Sequence, residues 1–252
     1  MQSIRRIIHI AFVLCAICPA LQAARPAEQA DSAYKAGNYE EAARLYESAL
    51  RTEKSAETYY NAGNAYFRLN DYPRAILNYE RALRINPADE DAAYNLDLCR
   101  TKITDRFDRY PEMFFITWSK QLAYGQPADV WGNYGLCALL FSLIGFGIYR
   151  FGVSLRLRKT GFAIGVALLV ATVVLEIFAA LQDHRNRTEI KAVVMSETSF
   201  LPDDGTNASK RTLHEGTTVT VLDEGVDGEA QVELPDGKTG WVKEKSLERV
   251  NK

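Results

Sequence analysis

Histidine and cysteine are scarce in this chain, with three histidines and four cysteines among 252 residues. His9, Cys15 and Cys18 sit at the extreme N-terminus, which leaves His184, His214, Cys99 and Cys137 for everything else. A zinc site of His and Cys ligands, or a triad with a histidine base, therefore lacks raw material. A surplus of one charge is also missing: Lys plus Arg total 30 against 32 for Asp plus Glu, a formal net charge of −2. Nucleic-acid binders carry a basic excess, so nucleic acid is not an expected partner. Acidic residues are plentiful, but no pair stands apart from ordinary surface charge as an acid–base couple. No catalytic residue, metal site or cofactor is expected. What the chain does have is 47% hydrophobic and 11% aromatic residues, too many for a disordered polymer. The mean hydropathy of −0.19 averages over very unequal segments.

The first such segment is N-terminal. Arg5 and Arg6 precede an apolar run from Ile7 to Ile17, then Pro19 and the small residues Ala20, Ala23 and Ala24. A basic start, a short apolar centre and a small-residue cleavage site define an export signal. It is shorter than the roughly 20 residues that span a bilayer comfortably. Cleavage is expected after Ala23, giving a signal peptide over 1–23. An uncleaved anchor is the alternative, and either one delivers the next segment outside the cytoplasm.

Internal repetition comes next. Gly37-Asn38-Tyr39-Glu40-Glu41-Ala42 matches Asn70-Asp71-Tyr72-Pro73-Arg74-Ala75, and Tyr46, Ala49 and Leu50 match Tyr79, Ala82 and Leu83, each at an offset of 33. With Tyr59, Ala62, Gly63, Tyr66 and Pro87, the second unit resembles the tetratricopeptide repeat at nearly every signature position. Small residues let paired helices approach, tyrosines fill the gaps, and Pro87 ends the second helix. In the first unit Ala30 stands where Gly63 does. From Asp89 to about Lys102 a third leading helix is expected to cap the array, over a repeat region of 24–105. Two and a half units are few for independent stability, so help from the following segment or a partner is expected. The resemblance implies a concave groove on the leading helices, with Tyr60, Asn64, Phe67, Arg68, Tyr94 and Asn95 on it. Tyr60, Phe67 and Tyr94 fit simple packing of a short array equally well. Asn64 and Asn95 are similar to a carboxylate clamp, but Tyr60 occupies the place of its lysine.

Val130 to Tyr149 contains no charged residue, and Thr160 to Gln182 contains only Glu176. Both are long enough to cross the hydrocarbon core. Between them Arg150, Arg156, Arg158 and Lys159 face no acid, the signature of a short cytoplasmic loop over 150–159. This predicts a hairpin with spans at 130–149 and 160–182 and both ends outside, in agreement with the export signal. Lipid headgroups are a second partner for those cations. Glu176 lies near the outer end, where it either snorkels or serves a function. Gly145, Gly147, Gly161 and Gly165 offer close helix contact. The linker at 106–129 contains Met113-Phe114-Phe115-Ile116-Thr117-Trp118 and then Trp131, suited to the outer membrane interface or to a contact with the repeats.

From Glu189 the pattern alternates. Lys191–Val194, Thr217–Leu222, Glu229–Leu234 and Gly240–Val242 read as strands, separated by turns that include Glu215-Gly216 and the hairpin signal Asp236-Gly237. The run Leu213 to Val221 with Asp236 to Val242 resembles the bacterial SH3-type domain, a small barrel over 188–250. Phe200 and Trp241 are candidates for its exposed binding patch, with core packing the alternative for each. Thr188 to Lys252 holds 8 basic and 13 acidic residues, which disfavours charge-driven binding to anionic glycopolymers.

The predicted fold class is thus a multidomain membrane protein: an α-helical tetratricopeptide solenoid, a two-helix transmembrane hairpin and a C-terminal SH3-like β-barrel. The order as a whole resembles the BatE-type proteins of the Bacteroides aerotolerance operon. That resemblance implies inner-membrane localisation with both soluble domains in the periplasm, partners among the membrane proteins of the same operon (von Willebrand A-type domain proteins included), and a role in oxidative stress. It implies an adaptor rather than an enzyme. A peptidoglycan-binding or sensing protein is the other reading.

Overall fold

In the computed structural model the described residues are 26–107, 113–203, 211–225 and 228–251. The expected export signal lies outside them. Five helices form the repeat region: α1 (26–35), α2 (Tyr39–Thr52), α3 (Ala56–Arg68), α4 (Tyr72–Ile85) and α5 (Glu90–Arg100). The repetition in sequence is a repetition of backbone. Gly37 has φ +81° and its counterpart Asn70 has φ +61°. This left-handed residue stops each leading helix, and glycine or asparagine adopts it at least cost. The amide just after that residue then bonds back across the turn in both units, Asn38 N–H to the Ala33 carbonyl at 2.9 Å and Asp71 N–H to that of Tyr66 at 3.0 Å. Ser55 caps α3 by accepting from the Thr58 amide, and Asp89 caps α5 by accepting from that of Ala92.

Gly63 lets α3 and α4 close. A Cβ there would stand 2.7 Å from the ring of Tyr79, which is 1% exposed. Its phenol donates to Asn64 Oδ1 at 2.7 Å. In the first unit Ala30 and Tyr46 are both buried, and the Tyr46 phenol donates to Asp31 at 2.6 Å, one residue after the small position as in the second unit. The same side-chain latch therefore recurs at the 33-residue offset.

The C-terminal region is a seven-stranded sheet: β1 (Ile190–Val194), β2 (Thr198–Pro202), β3 (Arg211–Leu213), β4 (Thr218–Glu224), β5 (Glu229–Glu233), β6 (Thr239–Lys243) and β7 (Leu247–Arg249), in the order β3-β2-β6-β5-β4-β1-β7. The expected Asp236-Gly237 hairpin joins the antiparallel pair β5–β6, with Gly237 at φ +80°. The sheet is antiparallel in its hairpins and fits an SH3-like domain, but no ladder closes β3 on β7 among the described residues. Strands β2, β3 and β7 add to the four read from the sequence. Phe200 lies on the inward face of β2 and is 1% exposed, so it belongs to the core and not to a surface patch. Its ring packs under Gly240, where a Cβ would meet it at 2.6 Å.

The described chain falls into two compact units. One contains the repeat helices and the sheet, although Arg109–Ile190 separates them in sequence. The other contains α6 (Phe114–Tyr124), α7 (Ala128–Phe151) and α8 (Leu155–Thr188). Helices α7 and α8 are long and apolar enough to cross a membrane, and most of their surface is unburied. They pack through glycine: a Cβ on Gly145 would stand 2.9 Å from Gly165 Cα, and one on Gly161 would stand 2.9 Å from the Gly145 carbonyl oxygen. Gly147, also expected at this contact, faces open space. The buried Ser142 hydroxyl donates to the Gly165 carbonyl at 2.8 Å. Only Gly152–Ser154 separates the two helices, because Ser154 accepts from the Leu157 amide and starts α8 at Leu155. Arg156, Arg158 and Lys159 thus lie in the first turns of α8. Arg158 folds back to donate to the Tyr149 carbonyl at 3.0 Å, covering the C-terminal end of α7, and Arg150 lies over the Phe151 ring at 5.4 Å.

Candidate functional site

The leading helices α1, α3 and α5 are stitched by the residues expected on the groove. Asn95 Nδ2 donates to Asn64 Oδ1 at 3.1 Å and to the Tyr60 hydroxyl at 3.4 Å, joining α5 to α3. Arg68 Nε donates to the Tyr34 hydroxyl at 3.4 Å, joining α3 to α1. Asn64 Oδ1 accepts from both Asn95 and buried Tyr79, so the two asparagines hold each other and the scaffold beneath them. Phe67 is half-buried edge-on to Tyr72 at 5.9 Å, and both it and Tyr60 pack against the core. Arg68 is exposed. Tyr94 stands apart from this network, 70% exposed.

The sheet docks at the far end of the array. Val193 of β1 and Val250 after β7 belong to the same buried cluster as Ile76, Tyr79, Leu96 and Cys99. Ile103 packs on the turn before β4, where Gly216, at φ +88°, would bring a Cβ within 2.6 Å of Ile103 Cγ2 and 3.3 Å of Ile76 Cδ1. Polar contacts surround this apolar centre. Asp105 accepts from the His214 amide, the His214 Nδ1 and the Thr217 hydroxyl, each at 2.8 Å. Burial pushes the Asp105 carboxyl up, but the backbone and side-chain hydrogen bonds from His214 and the one from Thr217 outweigh it and hold the carboxyl below its ordinary value. Glu80, 4% exposed, takes Arg100 at 2.7 Å and Lys191 at 3.4 Å. Arg81 donates to Glu248 at 2.9 Å and to the Arg249 carbonyl at 3.0 Å. The sheet covers the α4–α5 end, where another repeat helix would otherwise stack. This is the help that a short array needs.

Trp241 is half-buried. Its ring lies on Gly225, and its Nε1 donates to Asp203 at 3.4 Å. It pairs across strands with Leu201, 45% exposed, and with Gln231. A cleft of about 930 Å³ opens elsewhere on the sheet, where Arg249 is held between Glu224 at 2.6 Å and Glu244 at 2.9 Å. The thiol of buried Cys99 is pushed up to about 12 by burial, which removes its nucleophilicity. Among the described residues no group of three or more His, Cys, Asp or Glu stands close enough to hold a metal ion.

Residues 27–90 match the tetratricopeptide repeat family model. Residues 204–250 match the variant SH3 domain. Both are interaction domains that bind protein partners and bring no catalytic centre. Similar curated proteins are tetratricopeptide repeat protein 16 of Macaca fascicularis and of Homo sapiens, each 34% identical over 71 residues. That stretch is 28% of this chain and 8% of theirs, so the likeness concerns the repeats alone. The sequence signature named residues that join the leading helices to one another. It missed Asp105, Glu80 and Arg81, whose partners lie more than a hundred residues away and leave no local pattern.

Proposed function

We propose that the chain is a non-catalytic membrane adaptor that holds partner proteins on a single module built of its repeats and its SH3-like sheet. The observation that carries this reading is the shared core of Ile76, Ile103, Val193 and Val250, formed by segments on either side of the hairpin. Such a module assembles only if both hairpin ends emerge on the same face of the bilayer, which supports an even number of crossings. The cations Arg150, Arg156, Arg158 and Lys159 at the turn favour the cytoplasm for that end and the periplasm for the module. The groove residue left for a partner is exposed Tyr94; Arg68 is exposed as well but also bonds Tyr34, and Tyr60, Asn64, Phe67 and Asn95 are partly engaged in holding the helices together. Two binding surfaces on one anchor raise the effective concentration of whatever they hold. The resemblance to BatE-type proteins supports partners in an inner-membrane complex serving oxidative stress, von Willebrand A-type domain proteins among them.

Two measurements test the reading. A reporter active only in the cytosol, fused after Lys252, should stay silent; activity there refutes the topology. After gentle detergent extraction, a Tyr94→Ala/Arg68→Glu double variant should lose the membrane proteins that co-purify with the unaltered chain. Undiminished co-purification refutes the groove.

A further inference from the structure

Helix α6 carries an aromatic face left exposed among the described residues. Phe114 is 84% exposed, Phe115 53% and Trp118 65%, with Met113 at 65% just before them. Phe114 and Trp118 are four residues apart, and Phe115 lies between them on the same side of the helix. An uncovered apolar surface of this kind marks an interaction site. Three observations say what covers it. First, only Gly125–Pro127 separates α6 from Ala128, where the first candidate span begins. Second, Arg185 lies 4.8 Å over the Tyr124 ring, so the C-terminal end of α6 is held against α8 just beyond Gln182, where the apolar stretch of α8 gives way to Asp183, His184, Arg185 and Arg187. Third, the same end of the hairpin carries Trp131, edge-on to Tyr134 at 6.2 Å and to Phe178 at 5.4 Å. Aromatic side chains gather at the boundary between headgroups and hydrocarbon. An interfacial helix lies in that boundary with its apolar face down.

We propose that α6 is an interfacial helix, lying along the outer lipid surface with Phe114, Phe115 and Trp118 inserted among the acyl-chain ends. It clamps the outer end of the hairpin against tilting. This rests on the reading of α7 and α8 as spans. The lipid-facing aromatics, rather than a protein partner, set the depth at which the hairpin sits.

The test uses the full-length protein, with its own cysteines replaced, in vesicles of phosphatidylethanolamine and phosphatidylglycerol. A nitroxide is placed in turn at Trp118→Cys, Phe114→Cys, Val170→Cys and Glu53→Cys. Collisions with oxygen, which prefers lipid, and with a water-soluble nickel chelate are then measured. Val170, 59% exposed on α8, reports the span, and exposed Glu53 reports water. The expected result is a large loss of chelate access at 118 and 114 relative to 53, with oxygen access between those at 53 and 170. Chelate access at 118 and 114 equal to that at 53 overturns the proposal. So does low access of both reagents, which indicates burial against protein. If the label at 170 meets the chelate freely, the membrane reading itself fails, and α6 with it.

Discussion

Replacing Asp105 by alanine should unlatch the sheet from the repeats. The carboxylate accepts three hydrogen bonds of 2.8 Å, from the His214 amide, its imidazole and the Thr217 hydroxyl. The His214 side chain is 41% exposed, so water replaces the imidazole contact at little cost. The other two donors are a part-buried main-chain amide and the Thr217 hydroxyl, whose residue is 1% exposed. A buried donor left without its acceptor costs about 1–3 kcal/mol, so the pair amounts to roughly 3 kcal/mol. At about 1.4 kcal/mol per decade this is on the order of a hundredfold in the opening equilibrium. Hydrogen exchange followed by mass spectrometry on the full-length protein reads it directly. Amides of 211–217 and 99–107 should exchange about a hundredfold faster, while those of α2 and α3 change little. Asp105→Asn retains one carbonyl acceptor and should fall between. The effect has a pH signature. Because the folded-state value of this carboxyl is depressed, its contribution is present above the unfolded value of about 3.9 and disappears as the pH falls through the lower folded value. Wild type and Asp105→Asn should therefore converge in acid. Equal exchange in wild type and Asp105→Ala at neutral pH refutes the latch.

Gly216→Ala combines a left-handed backbone with a Cβ 2.6 Å from Ile103, and should destabilise the module by about 1–3 kcal/mol, read as a lowered melting temperature. Gly145→Leu meets the backbone of Gly165 at 2.9 Å, so the hairpin should open, and spin labels on α7 and α8 should report a greater separation; an unchanged distance contradicts the packing. Tyr94→Ala alone should leave the melting temperature within error, because its ring is 70% exposed, while weakening partner retention in a pull-down. Cys99 should resist maleimide at pH 8 in the folded protein and react at once in denaturant, since its thiol is both buried and pushed up to about 12.

Local chemistry was legible in the sequence wherever it repeats or alternates. The expectation that small residues let paired helices approach holds at Gly63, and the offset of 33 pairs Gly37 with Asn70, which share a positive φ. Uncharged length foretold α7 and α8. Edge strands were harder. β3 and β7 are three residues each, too short for alternation to show, and β2 ends in Pro202. Because β2 went unread, nothing assigned Phe200 to a face, and the choice between surface patch and core stayed open for a side chain that points inward. The Ser154 cap, which starts α8 within the basic connection, was a readable signal that charge counting obscured. The docking of sheet on repeats was beyond local reading, since Asp105 and His214 are 109 residues apart and each looks ordinary among its neighbours.

The shared core has a consequence for biogenesis. The α4–α5 face is synthesised well before the strands that cover it, because all of Arg109–Ile190 comes between. At ordinary elongation rates the delay is on the order of ten seconds. Throughout that interval Ile76 and Ile103 lack the turn at Gly216 that seals them, so the nascent repeats present a sticky end to any chaperone within reach.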